Sequence, residues 1–160
     1  MAPVTYWIDA DVLIQAKNGP YAFAVVPNFW IFIIKQFQQG VLNCPKIVYD
    51  ELIDGNDELA KWCKIREGDI CRPSLRPEQK HLNAIADHVV SKYKSHQAAE
   101  FMRGGDAWVI AHALQANGVV VTQESPRSRR SKIKIPTICS AFEVPYVNTY
   151  EMLKKLGAKL

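Results

Sequence analysis

Thr5-Tyr6-Trp7-Ile8-Asp9-Ala10-Asp11-Val12-Leu13-Ile14 is an apolar run that stops at a carboxylate and resumes with helical spacing. Thr5 to Ile8 reads as a buried strand ending at Asp9, and Asp11 is expected to cap a short helix reaching Asn18 and Gly19. A strand handing directly to a helix is half of a βα unit. If the pattern recurs, the domain is α/β with strands that run parallel.

The pattern does recur. A helix is predicted from about Asn28 to Gln39, where Trp30, Ile33, Ile34 and Phe37 fall at i, i+3, i+4 and i+7. Gly40 ends it, and Val41 and Leu42 begin a short strand before Pro45. Helices follow over 46–53, carrying Glu51, and over 57–67. The clearest helix spans 77–93: Pro77 suits its first turn, and Leu82, Ile85, Ala86, Val89, Val90 and Tyr93 form one apolar stripe. Gly104-Gly105 breaks the chain before a helix over 106–117 with Gly118 as its stop. Val119 to Gln123 reads as a buried strand. A short helix near 137–142, a strand near Tyr146 and a helix from Thr149 complete the chain. The expected architecture is one domain over 1–160, a three-layer α/β/α sandwich around a mainly parallel sheet.

Composition narrows the function classes. A chain of 160 residues can bury roughly 70% of its unfolded surface, enough to fold without disulfides or a structural metal. Cys44, Cys63, Cys71 and Cys139 include no Cys-x-x-Cys pair, which argues against a zinc knuckle. The first residues lack a basic leader and place Asp9 and Asp11 inside the apolar run, unlike a signal peptide. No window approaches 18 uncharged apolar residues, so no membrane span is expected, and unpaired thiols point to the cytoplasm. The excess of 20 Lys and Arg over 16 Asp and Glu is mild. The position of the charges matters more than their sum.

The chemistry lies in the acids. Ligands of open α/β sheets sit outside the carboxyl ends of the strands. Asp9 ends the first strand, Glu124 follows the Val119 strand, and Asp106 opens the helix feeding that strand; Glu51 can join them from its helix. Each has a plainer reading, as a helix cap or a solvated surface charge. Together they make a crowd of like charges, and one such pair ~4 Å apart is worth about 4 kcal/mol at an effective dielectric of 20. A divalent cation relieves that repulsion, and an oxygen-only set suits Mg²⁺ or Mn²⁺.

The stretches YWIDADVLI with Asp9, IVYDELI with Glu51, GGDAWVIAHAL with Asp106 and VVVTQES with Thr122 and Glu124 resemble the PIN-domain nucleases. The likeness covers nearly the whole chain, and TYWIDADVLI, KIKIPTIC and the closing YEMLKKLG look like a VapC-like toxin subfamily. The resemblance implies a parallel sheet flanked by helices and a Mg²⁺- or Mn²⁺-dependent endoribonuclease. Asp9, Glu51 and Asp106 are then metal ligands and catalytic residues, with Glu124 as the fourth, assisting acid. It further implies an RNA substrate, a cognate antitoxin and dimers. Two positions depart from the family pattern. Asp11 stands where Ser, Thr or Asn is usual, and Glu124 is one methylene longer than the usual Asp.

Two features fit that picture. The predicted second helix is apolar on nearly every side through Phe29, Trp30, Ile31, Phe32, Ile33 and Ile34, which suits deep burial or a homodimer interface. The run 125–134 holds five basic residues, Arg127, Arg129, Arg130, Lys132 and Lys134, directly after Glu124. They are expected to neutralise RNA phosphates, or to form a solvated loop or a docking strip for an acidic antitoxin segment.

Competing readings exist. Ile8-Asp9-Ala10-Asp11-Val12 and the Val119 strand ending in Thr122 also fit haloacid-dehalogenase-like phosphatases, with Asp9 as nucleophile. That family needs further acids, usually Asp, after the Thr motif, and no Asp follows Asp106 here. A catalytically inactive RNA- or partner-binding PIN domain is the other alternative. His81, His88, His96 and His112 show no zinc-like pairing, Cys139 and Ser140 lack a neighbouring His, and Trp30, Phe37, Trp62 and Trp108 suit a core or dimer contact better than a base-stacking platform.

Overall fold

The computed structural model describes residues 3–126 and 131–160. Its elements run β1 (Tyr6–Ile8), α1 (Ala10–Asn18), α2 (Pro27–Gln38), β2 (Leu42–Pro45), α3 (Lys46–Ile53), α4 (Glu58–Ile65), α5 (Glu67–Ile70) and β3 (Cys71–Arg72). Then come α6 (Arg76–Lys92), α7 (Ser95–Arg103), α8 (Asp106–Ala116), β4 (Val119–Val121), α9 (Ile135–Ala141), β5 (Tyr146–Val147) and α10 (Thr149–Lys155). The strands form one sheet in the order β3-β2-β1-β4-β5, with every neighbouring pair parallel. Tyr6, Trp7 and Ile8 are all buried, so helices cover both faces of the central strand, as parallel sheets require. This is the expected α/β/α arrangement.

The order carries a functional consequence. From β1 the chain builds outward to β2 and β3, then returns across the sheet to β4 and β5 on the other side. The connections leaving β1 and β4 therefore diverge, and the crevice between their carboxyl ends is the topological switch point. Asp9 and Thr122 stand at its two lips.

Local chemistry explains most boundaries and corrects several expectations. Asp9, not Asp11, caps α1: its backbone is extended, and its Oδ1 accepts from the Asp11 N–H at 2.6 Å. Asn117, not Gly118, ends α8 by taking the left-handed conformation at φ 52°. Gly118 serves close approach instead, because a Cβ there would lie 2.6 Å from Thr5 Oγ1 and 2.7 Å from Thr5 O, blocking the seat of β4 against β1. On α6, Ile85 and Val89 are buried, but Val90 is 68% exposed, since it lies a full residue rotation from the buried face.

Three elements carried no expectation. α7 buries only Ala98 and Phe101, too short a stripe to read. α5 has four residues and β3 two. α2 proves to be a core helix with one partly uncovered flank: Phe29, Trp30, Ile33 and Phe37 are buried, Phe32 and Ile34 half-buried, and Ile31 is 53% exposed. Its aromatics belong to the core. Phe23 stacks on Trp30 at 4.0 Å and Trp62 meets Trp30 edge-on at 5.1 Å.

Among the described residues, Cys44, Cys63 and Cys139 are buried, Cys71 is half-buried, and all four are free thiols. No described helix is long and apolar enough to cross a membrane.

Candidate active site

Asp9 is the most constrained of the acids. The residue is only 5% exposed. One oxygen accepts from the Asp11 N–H, and the other accepts from Thr122 Oγ1 at 2.9 Å. Thr122 Oγ1 in turn accepts from the Glu124 N–H at 3.1 Å, so one hydroxyl ties the lips of β1 and β4 together. Burial, then the nearby charges of Asp11 and Asp106, push the Asp9 pKa from 3.8 up to about 7.

Asp106 opens α8, where the helix N-terminus faces the crevice. Its pKa rises to about 6, through burial first and then the charge of Glu124; Lys132 opposes the rise, and Glu51 and Asp11 add to it. Glu51 is an exposed residue of α3. Its Oε1 accepts from the Gly105 N–H at 2.8 Å, and partial burial raises its pKa against that hydrogen bond. Gly105 is required here by packing: a Cβ would meet Val48 Cγ2 at 2.6 Å and Glu51 Oε1 at 3.2 Å. The sequence marks this only as a Gly-Gly break. A glycine immediately before the acid that opens α8 is the available signal.

Charge interactions link these acids pair by pair: Asp9 with Asp106, Asp106 with Glu124 and Glu51, and Asp11 with Asp9, Glu51 and Asp106. The surprise is Lys132. Its ammonium lies 3.9 Å from Asp106 Oδ2 and 3.8 Å from Glu124 Oε2, a cation lodged between two of the carboxylates. Of the other expected cations, Lys134 is buried at the entry to α9, at 7% exposure, so it does not stand as a surface contact for a phosphate. Arg127, Arg129 and Arg130 lie outside the described residues. His112 is a core residue: buried against Trp7, it sits 2.8 Å from Ser74 Oγ, and burial lowers its pKa to about 4.

The residues fit a hard divalent cation. The donors are all carboxylate oxygens, and burial and like charge disfavour the ionised form of two of the carboxyl groups, Asp9 and Asp106, which a cation would offset; Lys132 occupies part of that role here. Among the described residues, no three potential ligands already converge as a finished metal shell.

The sheet order and the switch-point crevice give a PIN-like α/β/α fold, and solved structures share it. The chain is similar to one from VapBC2 of Rickettsia felis, crystallised with a DNA fragment from its promoter, at 11% identity and a TM-score of 0.55, covering 91% of this chain and 98% of that one. DNA-bound VapBC of Salmonella typhimurium matches at 15% identity and 0.53, and VapBC-1 of nontypeable Haemophilus influenzae at 14% and 0.55, with the same coverage. At these identities the likeness is one of fold. Residues 6–160 match the family described as a domain of unknown function, DUF4411, and the chain belongs to that family. None of the curated proteins matches it.

Proposed function

We propose that this chain is a Mg²⁺- or Mn²⁺-dependent endoribonuclease that acts as the toxin of a toxin–antitoxin pair. The observation that carries the reading is the grouping of Asp9, Glu51, Asp106 and Glu124 about the β1–β4 crevice, with the pKa values of Asp9 and Asp106 pushed up to about 7 and about 6 by burial first and by neighbouring carboxylates second. Carboxylates buried against each other are costly to a structure that does not use them.

In this reading Asp9, Glu51 and Asp106 hold the ion and Glu124 assists. A divalent cation so held supplies an acidified water and offsets charge on the leaving oxygen of a phosphodiester. The protein's own part is placement. Thr122 and the α1 N-terminus fix both oxygens of Asp9, and the Gly105 N–H fixes one of Glu51. Lys132 and the cations of 127–130 meet the RNA backbone, which positions the strand without reading its sequence.

Partners follow from two supports. The solved neighbours are VapBC assemblies, which favours a cognate antitoxin. The uncovered flank of α2 at Ile31, beside half-buried Phe32 and Ile34, suits a homodimer contact.

The test is cleavage of single-stranded RNA by purified protein with chelator, Mg²⁺ or Mn²⁺. Activity is expected only with metal, and Asp9→Asn, Glu51→Gln and Asp106→Asn are each expected to abolish it while the protein stays folded. Glu124→Gln should lose less. Full activity in chelator, or in any of the first three variants, overturns the assignment.

A further inference from the structure

A cavity of about 330 Å³ lies beside the acid cleft, between α1 and the start of α10. Its walls include Val12, Gln15, Asn18, Tyr21, Gln123 and Thr149. Val12 and Gln15 belong to the helix that Asp9 caps. Gln123 stands between Thr122, which holds Asp9, and Glu124. The cavity therefore shares its framework with the acid cleft, one strand end and one helix away from the proposed point of cleavage.

We infer that this cavity is a nucleobase subsite, receiving an unstacked base of the RNA next to the scissile phosphate; the inference rests on the ribonuclease reading above. The chemistry of the walls is the argument. No lining residue carries a charge, which makes the cavity unsuited to a phosphate or a metal ion. Val12, Ala16 and Pro20 supply apolar surface, and three carboxamides, Gln15, Asn18 and Gln123, supply paired donors and acceptors. A flat, neutral ligand with polar edges matches that combination, and single-stranded RNA offers its bases in that form. The cavity is at the small end of ligand pockets, which start at about 300 Å³, and so suits one base.

Two of the groups are held in advance. The Oε1 of Gln123 accepts from the Thr149 N–H at 3.0 Å and from Thr149 Oγ1 at 2.9 Å. The planar amide is thereby fixed with its carbonyl toward α10 and its NH₂ end turned the other way. Tyr21 is stacked on Phe29 at 4.4 Å, which sets the angle of its ring. A polar group fixed before binding recognises its partner at a lower entropic cost than a free one.

The test uses the full chain in chelator, so that nothing depends on cleavage. The ligands are the four 5′-nucleoside monophosphates, with ribose 5-phosphate as control, and the readout is the side-chain NH₂ resonances of Gln15, Asn18 and Gln123. At least one nucleotide should shift these signals saturably, ribose 5-phosphate should not, and the exposed-surface double variant Gln15→Leu/Asn18→Leu should weaken that nucleotide at least tenfold. If no nucleotide moves the three amides, or ribose 5-phosphate moves them equally, the subsite is refuted, and the ribonuclease reading stands untouched. If bases bind but RNA is never cleaved with metal, the subsite stands and the ribonuclease reading falls. Where RNA is cleaved, the double variant should relax the preference at one nucleotide flanking the cut. An unchanged preference there also refutes the subsite.

Discussion

Asp9→Asn is expected to stabilise the metal-free protein, and to do so more as the pH rises. The folded-state pKa of Asp9 is raised from 3.8 to about 7. Between those values the folded protein holds a proton that the unfolded chain has released. Stability therefore falls as pH rises through this window, and the loss is complete above about pH 7. A shift of about 3 units at 1.36 kcal/mol each sets an upper bound of about 4 kcal/mol above pH 7. At pH 5 the loss is only about 1–2 kcal/mol by the same arithmetic. Asn carries no charge to desolvate and is itself a favoured N-cap, so the hydrogen bond to the Asp11 N–H survives. The advantage of the variant should thus grow by about 2–3 kcal/mol between pH 5 and pH 8. For a chain of this length 1 kcal/mol moves Tm by about 2–4 °C, so the gap in Tm should widen by roughly 5–10 °C. The assay is thermal unfolding of both proteins in chelator across that range. A gap that does not widen, or that narrows, refutes the account of Asp9 as a buried carboxyl held near neutrality.

Mn²⁺ should raise the Tm of the wild type by mass action and that of Asp106→Asn far less, and equal shifts in the two would sink the shared site. Lys132→Gln removes the ammonium that lies between Asp106 and Glu124; calorimetric titration should show Mn²⁺ binding tightened severalfold, and an unchanged Kd would mean that lysine and metal do not compete. Gly105→Ala should destabilise by about 1–3 kcal/mol, the usual penalty of overpacking, because its Cβ meets Val48 Cγ2 at 2.6 Å. Denaturant unfolding that matches wild type would show that α3 and α8 can separate freely at this point.

The parts of the fold that were legible in sequence are those where burial repeats at a fixed period. α2 and α6 could be found because their buried and half-buried apolar residues recur at helical spacing, α8 because its apolar run is bounded by Gly105 and Gly118, and β1 and β4 because the apolar run is unbroken. β3 and α5 are held by neighbours rather than by pattern, so two and four residues gave no period to detect. Cap positions failed for a related reason. Asp9 and Asp11 both satisfy the rule for an N-cap, and only the backbone angle of Asp9 decides between them. The site divides along the same line. That Asp9, Asp106 and Glu124 border one crevice follows from strand ends and a helix start, which sequence can locate, whereas Glu51 comes from inside α3. What each acid then does electrostatically depends on contacts distant in the chain. Thr122 reaches back to Asp9, Gly105 to Glu51, and Lys132 across to Asp106 and Glu124. Lys132 makes the point most sharply. As one of five cations in a basic run it reads as a phosphate contact, and only its placement reveals a charge already engaged with the acids. Under the proposed function, RNA or metal would have to displace an existing ion pair at Lys132 rather than meet an idle cation, so the affinity of the cleft would be set by a competition that composition alone does not reveal.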